Sequence, residues 1–361
     1  MPGLRVSLTF ALTALTVLAS AGPAGADLAT GSAELESGPP TDAHAATRSR
    51  RPVGGHPANI VPFTPSPFLR RPRRHEVPRF WNDGRSCSTG CRAGGAITGW
   101  PLRPFHRQHA LRAGINELRT GSMHSGIDIQ GRNGQAVYAI QGGVAKVNRQ
   151  GVDTNVQVGR FVYFHLRPWV TTGQYVSPYS TVLGQILTPA GHVHLTDQLG
   201  KTELNPLRPG GRVVAPWHDT AQPVIGMPEF RGGGAVDVRV YDPQSFTVRT
   251  TYWTPVLAPA ALAYRVYNAR GRRLTSLRWA LRGSHVYPYS LRGRIYAPGA
   301  RGGGWVCFGY HPRCTPNWHY HLAGGLAPRL PRLRPGLYRL TIYAWDWAGN
   351  VTARDERFVA Q

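Results

Sequence analysis

Between residues 124 and 200, short runs of strand-forming residues follow one another at close intervals, with glycines between them. The runs are rich in Val, Ile, Tyr and Phe, and they cover residues 136–140, 143–147, 156–158, 161–166, 174–176 and 181–186. No amphipathic helical period of ordinary length occurs in this part of the chain. Short strands bounded by glycine predict an all-β sheet or barrel-like domain and exclude alternating β-α-β units.

A second strand-rich part begins near residue 225. Alternating residue types predict strands at 235–241, 246–252, 263–267 and 336–346, and a turn follows from Asp346 to Asn350. This pattern resembles an Ig-like or fibronectin-type β-sandwich, and we expect it to cover residues 230–361. A fold of this kind does not by itself assign a function.

The amino terminus has the pattern of an export signal. Arg5 precedes an apolar run at residues 6–18, and a small-x-small cleavage site follows at residues 24–26. The run is short for a membrane span, so residues 1–26 are predicted to be a signal peptide, with an uncleaved signal anchor as the alternative. No later stretch is long and apolar enough to cross a bilayer. We therefore expect a secreted, extracellular protein.

Residues 27–97 differ in composition from the rest of the chain. They are rich in Pro, Gly, Ser and Arg, with the densest charge at residues 70–74, and they predict a basic linker without a packed core. The formal net charge of the whole chain is +24. Such a charge suits an anionic partner, which for an exported protein means wall polymers or phospholipid headgroups. A solvated spacer is the alternative for the linker, and export argues against a nucleic-acid partner.

The four cysteines fall in two close pairs, Cys87 with Cys91 and Cys307 with Cys314. Two local disulfides are expected, because exported proteins fold in an oxidising compartment. A structural zinc site is the alternative for the second pair, since five metal-binding residue types lie close together there: Cys307, His311, Cys314, His319 and His321.

Five further residues are of types that bind metals or transfer protons. His124 and Asp128 are followed by His165 and then by His192 and His194. Zinc binds imidazole nitrogen and carboxylate oxygen, and a catalytic site uses three protein ligands. His124, Asp128 and one histidine of the His-x-His pair would meet that number. On a strand the two paired histidines share a face, which leaves one of them and His165 for acid–base chemistry.

These residues resemble the motifs of the lysostaphin/LytM-type zinc metallopeptidases. The similarity lies in His-x-x-x-Asp at residues 124–128, Tyr-Phe-His-Leu at 163–166 and Gly-His-Val-His at 191–194, and covers roughly residues 100–200. Supporting positions are Gly126, Gly134, Val137, Ala139, Gly143, Val144, Gly173, Gln174, Tyr175, Val176, Leu183 and Gly184. The resemblance implies a β-rich catalytic domain, which we place at residues 98–222.

The resemblance also implies a ligand set and an activity. It makes His124, Asp128 and His194 the ligands of one zinc ion, and His165 and His192 the catalytic histidines. Members of the family cleave peptide bonds in bacterial peptidoglycan, so the expected protein is a cell-wall-associated zinc metalloendopeptidase acting on peptidoglycan peptides. One histidine would act as the general base and the other would stabilise the oxyanion, and the sequence leaves their order open.

The chain departs from the family pattern beside the site. Many members carry His-Leu-His-Phe-Glu, whereas here the second histidine is followed by Leu195, Thr196 and Asp197, and the loop at residues 184–191 is shorter than usual. Both departures bear on substrate preference. A catalytically silent protein of the same fold, which binds the wall or regulates another hydrolase, is the alternative function. The C-terminal sandwich would position wall or substrate, or serve a structural role.

Overall fold

The computed structural model describes residues 61–62, 69–73, 76, 99–208, 213–245, 256–302 and 317–361. Gly55–Gln361 form one compact unit. The regular secondary structure of the described residues is almost entirely β-strand, with one four-residue α-helix, α1 (Arg292–Ile295), and short 3-10 turns. The all-β class predicted from the sequence is therefore confirmed. No helix in the described part of the chain has the length and apolar character needed to span a membrane.

Two short strands from the predicted linker come first in the chain. Thirteen strands follow in the first strand-rich region, residues 111–204. In chain order the fifteen are β1 (Val61–Pro62), β2 (Leu69–Arg70), β3 (Leu111–Ala113), β4 (Leu118–Arg119), β5 (Ser122–Met123), β6 (Ile127–Gln130), β7 (Ala136–Tyr138), β8 (Gly143–Asn148), β9 (Asn155–Val158), β10 (Phe161–Phe164), β11 (Leu166–Pro168), β12 (Tyr175–Val176), β13 (Val182–Ile186), β14 (His192–Leu199) and β15 (Thr202–Leu204).

The largest sheet of the first region is antiparallel and has the order β12-β8-β9-β10-β14-β6-β3, with β15 also paired to β14. A smaller sheet has the order β11-β13-β7, and β4 pairs with β5. Both sheets are open, and no barrel closes among the described strands. Strand β14 lies between β10 and β6. The two paired histidines of the sequence motif are therefore on an interior strand of the main sheet.

The alternation of side chains along β14 separates the core from the site. Val193 and Leu195 are fully buried in the hydrophobic core between the sheets, together with Phe161 of β10 and Leu183 of β13. Because successive residues of a strand face opposite sides, His192 and His194 face away from this core. The apolar face thus fixes the direction in which the histidines project.

The second region contains eight strands. They are β16 (Val224–Ile225), β17 (Glu229–Arg231), β18 (Ala235–Tyr241), β19 (Ala261–Asn268), β20 (Arg278–Arg282), β21 (His319–Ala323), β22 (Gly336–Trp345) and β23 (Val351–Ala360). One sheet has the order β1-β23-β22-β19-β20 with β2 also on β23, and the other has β16-β18-β17 with β21 also on β18. Val238, Val266 and Ile342 come from both sheets and pack in one hydrophobic core. Two sheets enclosing one core agree with the predicted sandwich.

Apolar contacts continue from the first region into the second. Trp217, Leu257, Tyr343 and Trp345 belong to the same core as the sheets of the first region. The indole Nε1 of Trp100 also donates to the carbonyl of Pro216 at 3.0 Å. The two strand-rich regions therefore pack as parts of one unit.

Part of the predicted basic linker joins the second region. Strands β1 and β2 pair with β23. Arg70 of the basic cluster donates to Asp355 at 2.9 Å and to Glu76 at 2.5 Å. These ion pairs neutralise Arg70, so an anionic partner would have to use other arginines of the cluster.

Several expectations fall outside the described residues. These are the signal sequence at residues 1–26, most of the linker, the strand at 246–252 and all four cysteines, Cys87, Cys91, Cys307 and Cys314. They remain predictions. Of the rival zinc site, only His319 and His321 are described.

Candidate metal centre

Antiparallel pairing of β14 with β6 brings distant ligands together. His194 is directly opposite Asp128 in the register, and His192 is opposite Gln130. Directly paired side chains on one face of a sheet stand about 5 Å apart at Cβ. His124 reaches the same place from the turn before β6. Strand register therefore assembles residues that are far apart in the sequence.

The three predicted zinc ligands meet atom to atom. His124 Nε2 lies 3.0 Å from Asp128 Oδ1 and 2.8 Å from His194 Nδ1. His194 Nδ1 lies 2.9 Å from Asp128 Oδ1. All three residues are only 7% exposed. Two imidazole nitrogens and one carboxylate oxygen in one small buried space are a donor set that suits zinc.

Hydrogen bonds behind the two imidazoles leave their inner nitrogens free to bind a metal. His124 Nδ1 is 2.7 Å from the carbonyl oxygen of Gly114, which can only accept, so Nδ1 carries a proton and, in the neutral ring, Nε2 carries a lone pair. His194 Nε2 is 2.8 Å from the hydroxyl of Thr196, which can accept the proton of that nitrogen. Burial lowers the pKa of His194 to about 4, so this ring is neutral at pH 7. Outer partners of this kind orient metal-binding histidines in proteins.

The inner nitrogen and oxygen atoms of this cluster are arranged to bind a cation rather than to form hydrogen bonds with one another. His124 Nε2 and Asp128 Oδ1 are both acceptors at 3.0 Å, a contact that is repulsive unless a proton or a metal ion lies between them. Burial alone would raise the pKa of Asp128, but the positive charges of His124 and His192 in their protonated forms, with hydrogen bonds from His124 and His194, hold it well below its ordinary value. Asp128 is therefore a carboxylate, with its outer oxygen Oδ2 3.3 Å from Arg119 Nη2.

His165 lies at the break between β10 and β11. Its φ is 64°, a left-handed conformation that side-chain-bearing residues adopt uncommonly and that is often associated with functional sites. Its ring centroid is 4.7 Å from that of His192 and 6.3 Å from that of His194. His165 Nδ1 donates to the carbonyl of Val152 at 2.9 Å. In the neutral ring Nε2 is therefore a proton acceptor beside the ligand cluster.

His192 is the more buried of the two remaining histidines. Its Nδ1 lies 2.6 Å from the carbonyl oxygen of Ala190, and its Nε2 is 3.6 Å from Asp128 Oδ1. The guanidinium of Arg112 lies 3.0 Å from the same Nδ1. Burial, with the charges of His165 and Arg112 adding to it, lowers the pKa of His192 to about 3. The ring is therefore neutral at pH 7.

The structure thus brings all five predicted site residues into one place, and it adds residues that the sequence analysis did not assign. The carbonyl of Gly114 and the hydroxyl of Thr196 orient two ligands, while Arg119 and Arg112 contact Asp128 and His192. Only Thr196 carried a usable sequence signal, because it is two residues after His194 on the same strand face. The others come from segments whose proximity depends on the fold.

The residues that depart from the family pattern have structural partners. The hydroxyl of Thr196 lies 2.8 Å from His194 Nε2 and can accept its proton. Asp197 is fully buried and accepts from Arg208 at 2.5 Å and from Arg160. The departure therefore places an ion-pair network behind the site.

Gly126 is required for the approach of β14 to the turn before β6. A Cβ at this position would lie 2.2 Å from the carbonyl oxygen of Leu195 and 2.9 Å from His194 Nε2. Real Cβ atoms do not occur at such distances, so a larger residue must displace the strand that carries His194. Glycine at this position is thus a condition for the ligand geometry.

Other histidines have separate roles. His109 Nε2 is 3.3 Å from the carbonyl of Pro104, and its ring contacts Trp100, in agreement with a structural role. His321 Nδ1 donates to Asp237 at 2.7 Å, and His319 Nε2 lies 3.7 Å from Glu229. The two described members of the rival zinc site are therefore each next to a carboxylate of the second region.

No protein-family model, curated protein or solved structure matches this chain. The class of protein is thus defined by what the fold and site contain. It is an all-β chain with a buried cluster of two histidines and one aspartate, next to two further histidines.

Proposed function

We propose that this protein is an exported zinc metalloendopeptidase that hydrolyses peptide bonds in bacterial peptidoglycan. One observation carries the proposal: His124 Nε2, Asp128 Oδ1 and His194 Nδ1 lie within 3.0 Å of one another, with His165 and His192 beside them. Peptidoglycan as the substrate, and the cell wall as the location, are supported by the motif resemblance and the predicted signal peptide. The basic residues of the linker would tether the enzyme to anionic wall polymers.

His124, Asp128 and His194 would hold the zinc ion. When bound at such a site, zinc lowers the pKa of water toward neutrality and polarises the carbonyl of the scissile bond. The protein contributes ligands that are already deprotonated, because Asp128 is a carboxylate with a pKa well below its ordinary value and the ring of His194 is neutral at pH 7. It also fixes both imidazoles through Gly114 and Thr196.

His165 is the residue best placed to move the proton. Its Nδ1–H is bound to Val152, so the Nε2 lone pair can take a proton from the attacking water molecule. The same nitrogen can then return that proton to the nitrogen of the leaving amine as the C–N bond breaks. The side chain is 18% exposed, which gives substrate access to it.

His192 is suited to orienting the attacking water molecule rather than to carrying a proton. The Arg112 guanidinium beside its ring disfavours the imidazolium form. His192 Nε2 lies on the side of the ligand cluster, 3.6 Å from Asp128 Oδ1, where it can form a hydrogen bond with the attacking water and fix its direction. We therefore assign the proton transfer to His165 and the orientation of water to His192.

The test combines metal analysis with a cleavage assay. Purified protein is analysed for zinc by elemental analysis and incubated with purified peptidoglycan, with and without a chelator. New amino termini are then measured. One zinc per chain and chelator-sensitive release of amino termini would support the proposal.

The His109→Ala variant is the matched control for an imidazole outside the site and should retain both zinc and turnover. Zinc without turnover on peptidoglycan would contradict the proposed substrate. A protein that binds no zinc and cleaves nothing, yet binds the wall, would be the silent docking protein.

A further inference from the structure

A second cluster of acidic side chains is buried in the described residues, away from the histidines. Asp219 lies between β15 and β16, Asp242 follows β18, and Asp346 follows β22 in the turn to β23. One carboxylate oxygen of each lies within 4.8 Å of the other two. Asp219 is 5% exposed, and the other two are fully buried. Three separate chain segments therefore converge on one small space lined with carboxylates.

Some of the six carboxylate oxygens have hydrogen-bond donors. Asp346 Oδ1 accepts three consecutive backbone N–H groups of the turn at 2.7–2.9 Å, and Oδ2 accepts from Asn350 Nδ2 at 2.6 Å. Asp219 Oδ1 accepts from the backbone N–H groups of Ala221 and Ser245, both at 2.9 Å. These bonds hold two of the carboxylates in fixed positions.

The remaining oxygens have no hydrogen-bond partner among the residues that the structure describes. They are both oxygens of Asp242 and the Oδ2 atom of Asp219, and all three are buried. A buried carboxylate oxygen that has lost water and gained no donor is costly, and such groups in proteins normally coordinate a metal or pair with a cation. In the described part of the chain, no ion pair with Arg, Lys or His involves any of the three aspartates. The cluster thus has a deficit of positive charge.

The pKa values of two of the three aspartates are raised in this environment. Burial raises the pKa of Asp242 well above its ordinary value, and repulsion by Asp346 and Asp219 adds to the rise. Burial also raises the pKa of Asp346 to about 7 despite its hydrogen bonds. A divalent cation in the cluster would relieve this repulsion.

We propose that Asp219, Asp242 and Asp346 form a calcium-binding site. Calcium prefers oxygen ligands and accepts carboxylates in monodentate or bidentate form, for which both free oxygens of Asp242 are available. Zinc usually takes nitrogen or sulfur ligands, and the cluster has none. Magnesium usually retains several water molecules, for which a site with two fully buried aspartates is poorly suited.

The site would tie the segment between the two strand-rich regions to the second region. Asn350, in the turn after β22, already donates through Nδ2 to the carbonyl oxygens of Asp219 and Ala221 at 2.8 and 3.0 Å. A calcium ion would add links from Asp219 to the ends of β18 and β22. Its expected role is structural stabilisation, and the inference is independent of the proposed peptidase activity.

Calcium titration of the full chain tests the inference. The protein is stripped of metals, dialysed and titrated with Ca²⁺ in a calorimeter, and its thermal unfolding is followed with and without Ca²⁺. We expect one Ca²⁺ per chain and a melting temperature raised by roughly 5 °C at a hundredfold excess over Kd. The absence of saturable Ca²⁺ binding to the wild-type chain would overturn the proposal, whatever the variants do.

Near-isosteric variants locate the site. The Asp242→Asn variant should lose Ca²⁺ binding and the calcium-dependent shift, yet melt above the wild-type protein in calcium-free buffer, because the repulsion is reduced. Unchanged Ca²⁺ binding by Asp242→Asn would refute the assignment. If that variant does not fold, Asp219→Asn provides the same comparison, because Asp219 also has an unpartnered oxygen.

Two control variants separate this site from other carboxylates. Asp237 is a buried aspartate of β18 that is paired with His321 and Arg231, so Asp237→Asn should retain Ca²⁺ binding. Asp128→Ala should also retain it. Loss of Ca²⁺ binding in Asp128→Ala, with binding kept in Asp242→Asn, would place the ion at the histidine cluster and contradict the proposal.

Discussion

The histidine cluster and the three-aspartate cluster are both buried, and both contain aspartate, yet their electrostatics are opposite. Asp128 has imidazoles around it, and its pKa lies well below the ordinary value. Asp242 is buried beside the carboxylates of Asp219 and Asp346, and its pKa lies well above the ordinary value. Burial by itself raises the pKa of both aspartates, so the lowered pKa of Asp128 comes from its histidine neighbours. Mixed nitrogen and oxygen donors suit zinc, whereas an all-oxygen set suits calcium.

The largest expected effect comes from disabling each cluster separately and comparing the two variants. Asp128→Ala should lose zinc and roughly a thousandfold or more of peptidase activity, because a catalytic metal needs its complete ligand set. It should keep Ca²⁺ binding. Asp242→Asn should show the reverse pattern, with zinc and activity retained. Elemental analysis and peptidoglycan cleavage measure both, and loss of both metals in either variant would show that the two clusters are not independent.

His165→Ala tests whether the histidines beside the cluster differ in role from those within it. Turnover should fall by about 10²–10⁴-fold, which is the usual contribution of general acid–base catalysis, while zinc content stays the same. The measurement is kcat together with zinc per chain. Zinc loss equal to that of Asp128→Ala would make His165 a ligand and contradict the assigned role.

Gly126→Ala probes how closely the ligand cluster depends on backbone approach. The added Cβ would meet the Leu195 carbonyl at 2.2 Å, so the strand carrying His194 must shift. We expect a loss of about 1–3 kcal/mol in the free energy of unfolding, as for other overpacked positions, and weaker zinc binding. Gly232→Ala is the control, because no atom lies within 4 Å of its Cβ position. Equal zinc affinity in the two variants would contradict the steric argument.

Thr196→Val removes the hydroxyl behind His194 and keeps its shape. Zinc affinity should fall by about 10-fold, at the lower end of the range for outer partners of metal ligands. Thr352→Val is the matched control, since Thr352 is a buried threonine whose hydroxyl has no hydrogen-bond partner. Competition with a zinc indicator dye measures both affinities. An unchanged zinc affinity in Thr196→Val would show that the Thr196 hydroxyl does not support His194 as a ligand.

The smallest effect concerns His109, a partly buried imidazole that has no carboxylate partner among the described residues. Burial lowers the pKa of His109 from 6.5, although the carbonyls of Pro104 and Leu102 oppose the shift. The unfolded chain therefore binds this proton first as the pH falls below about 6.5, and stability decreases from there down to the lower folded-state pKa. His109→Gln should flatten this slope slightly in urea unfolding between pH 7 and 5. A steeper slope in the variant would reverse the sign of the shift.

Strands with an alternating or strongly apolar pattern were predictable from the sequence. The expected strand at 235–241 corresponds to β18 (Ala235–Tyr241), and the one at 181–186 to β13 (Val182–Ile186). Strand β23 was missed, because Arg354 and Glu356 interrupt its apolar alternation. In the fold both are only 5% exposed, with Arg354 Nη2 3.6 Å from Glu356 Oε2. Their burial depends on the residues packed against the strand, and it leaves no apolar periodicity in the sequence.

The sequence by itself determined the all-β class and the types and order of the histidine-cluster residues. These are local properties, since strand propensity and side-chain alternation depend on near neighbours. Tertiary structure alone decided that His194 faces Asp128, that Gly114 and Thr196 orient the ligands, and that three distant aspartates share one buried space. Register and burial arise from contacts between segments far apart in the chain, and the environment of a charged group is set by those contacts.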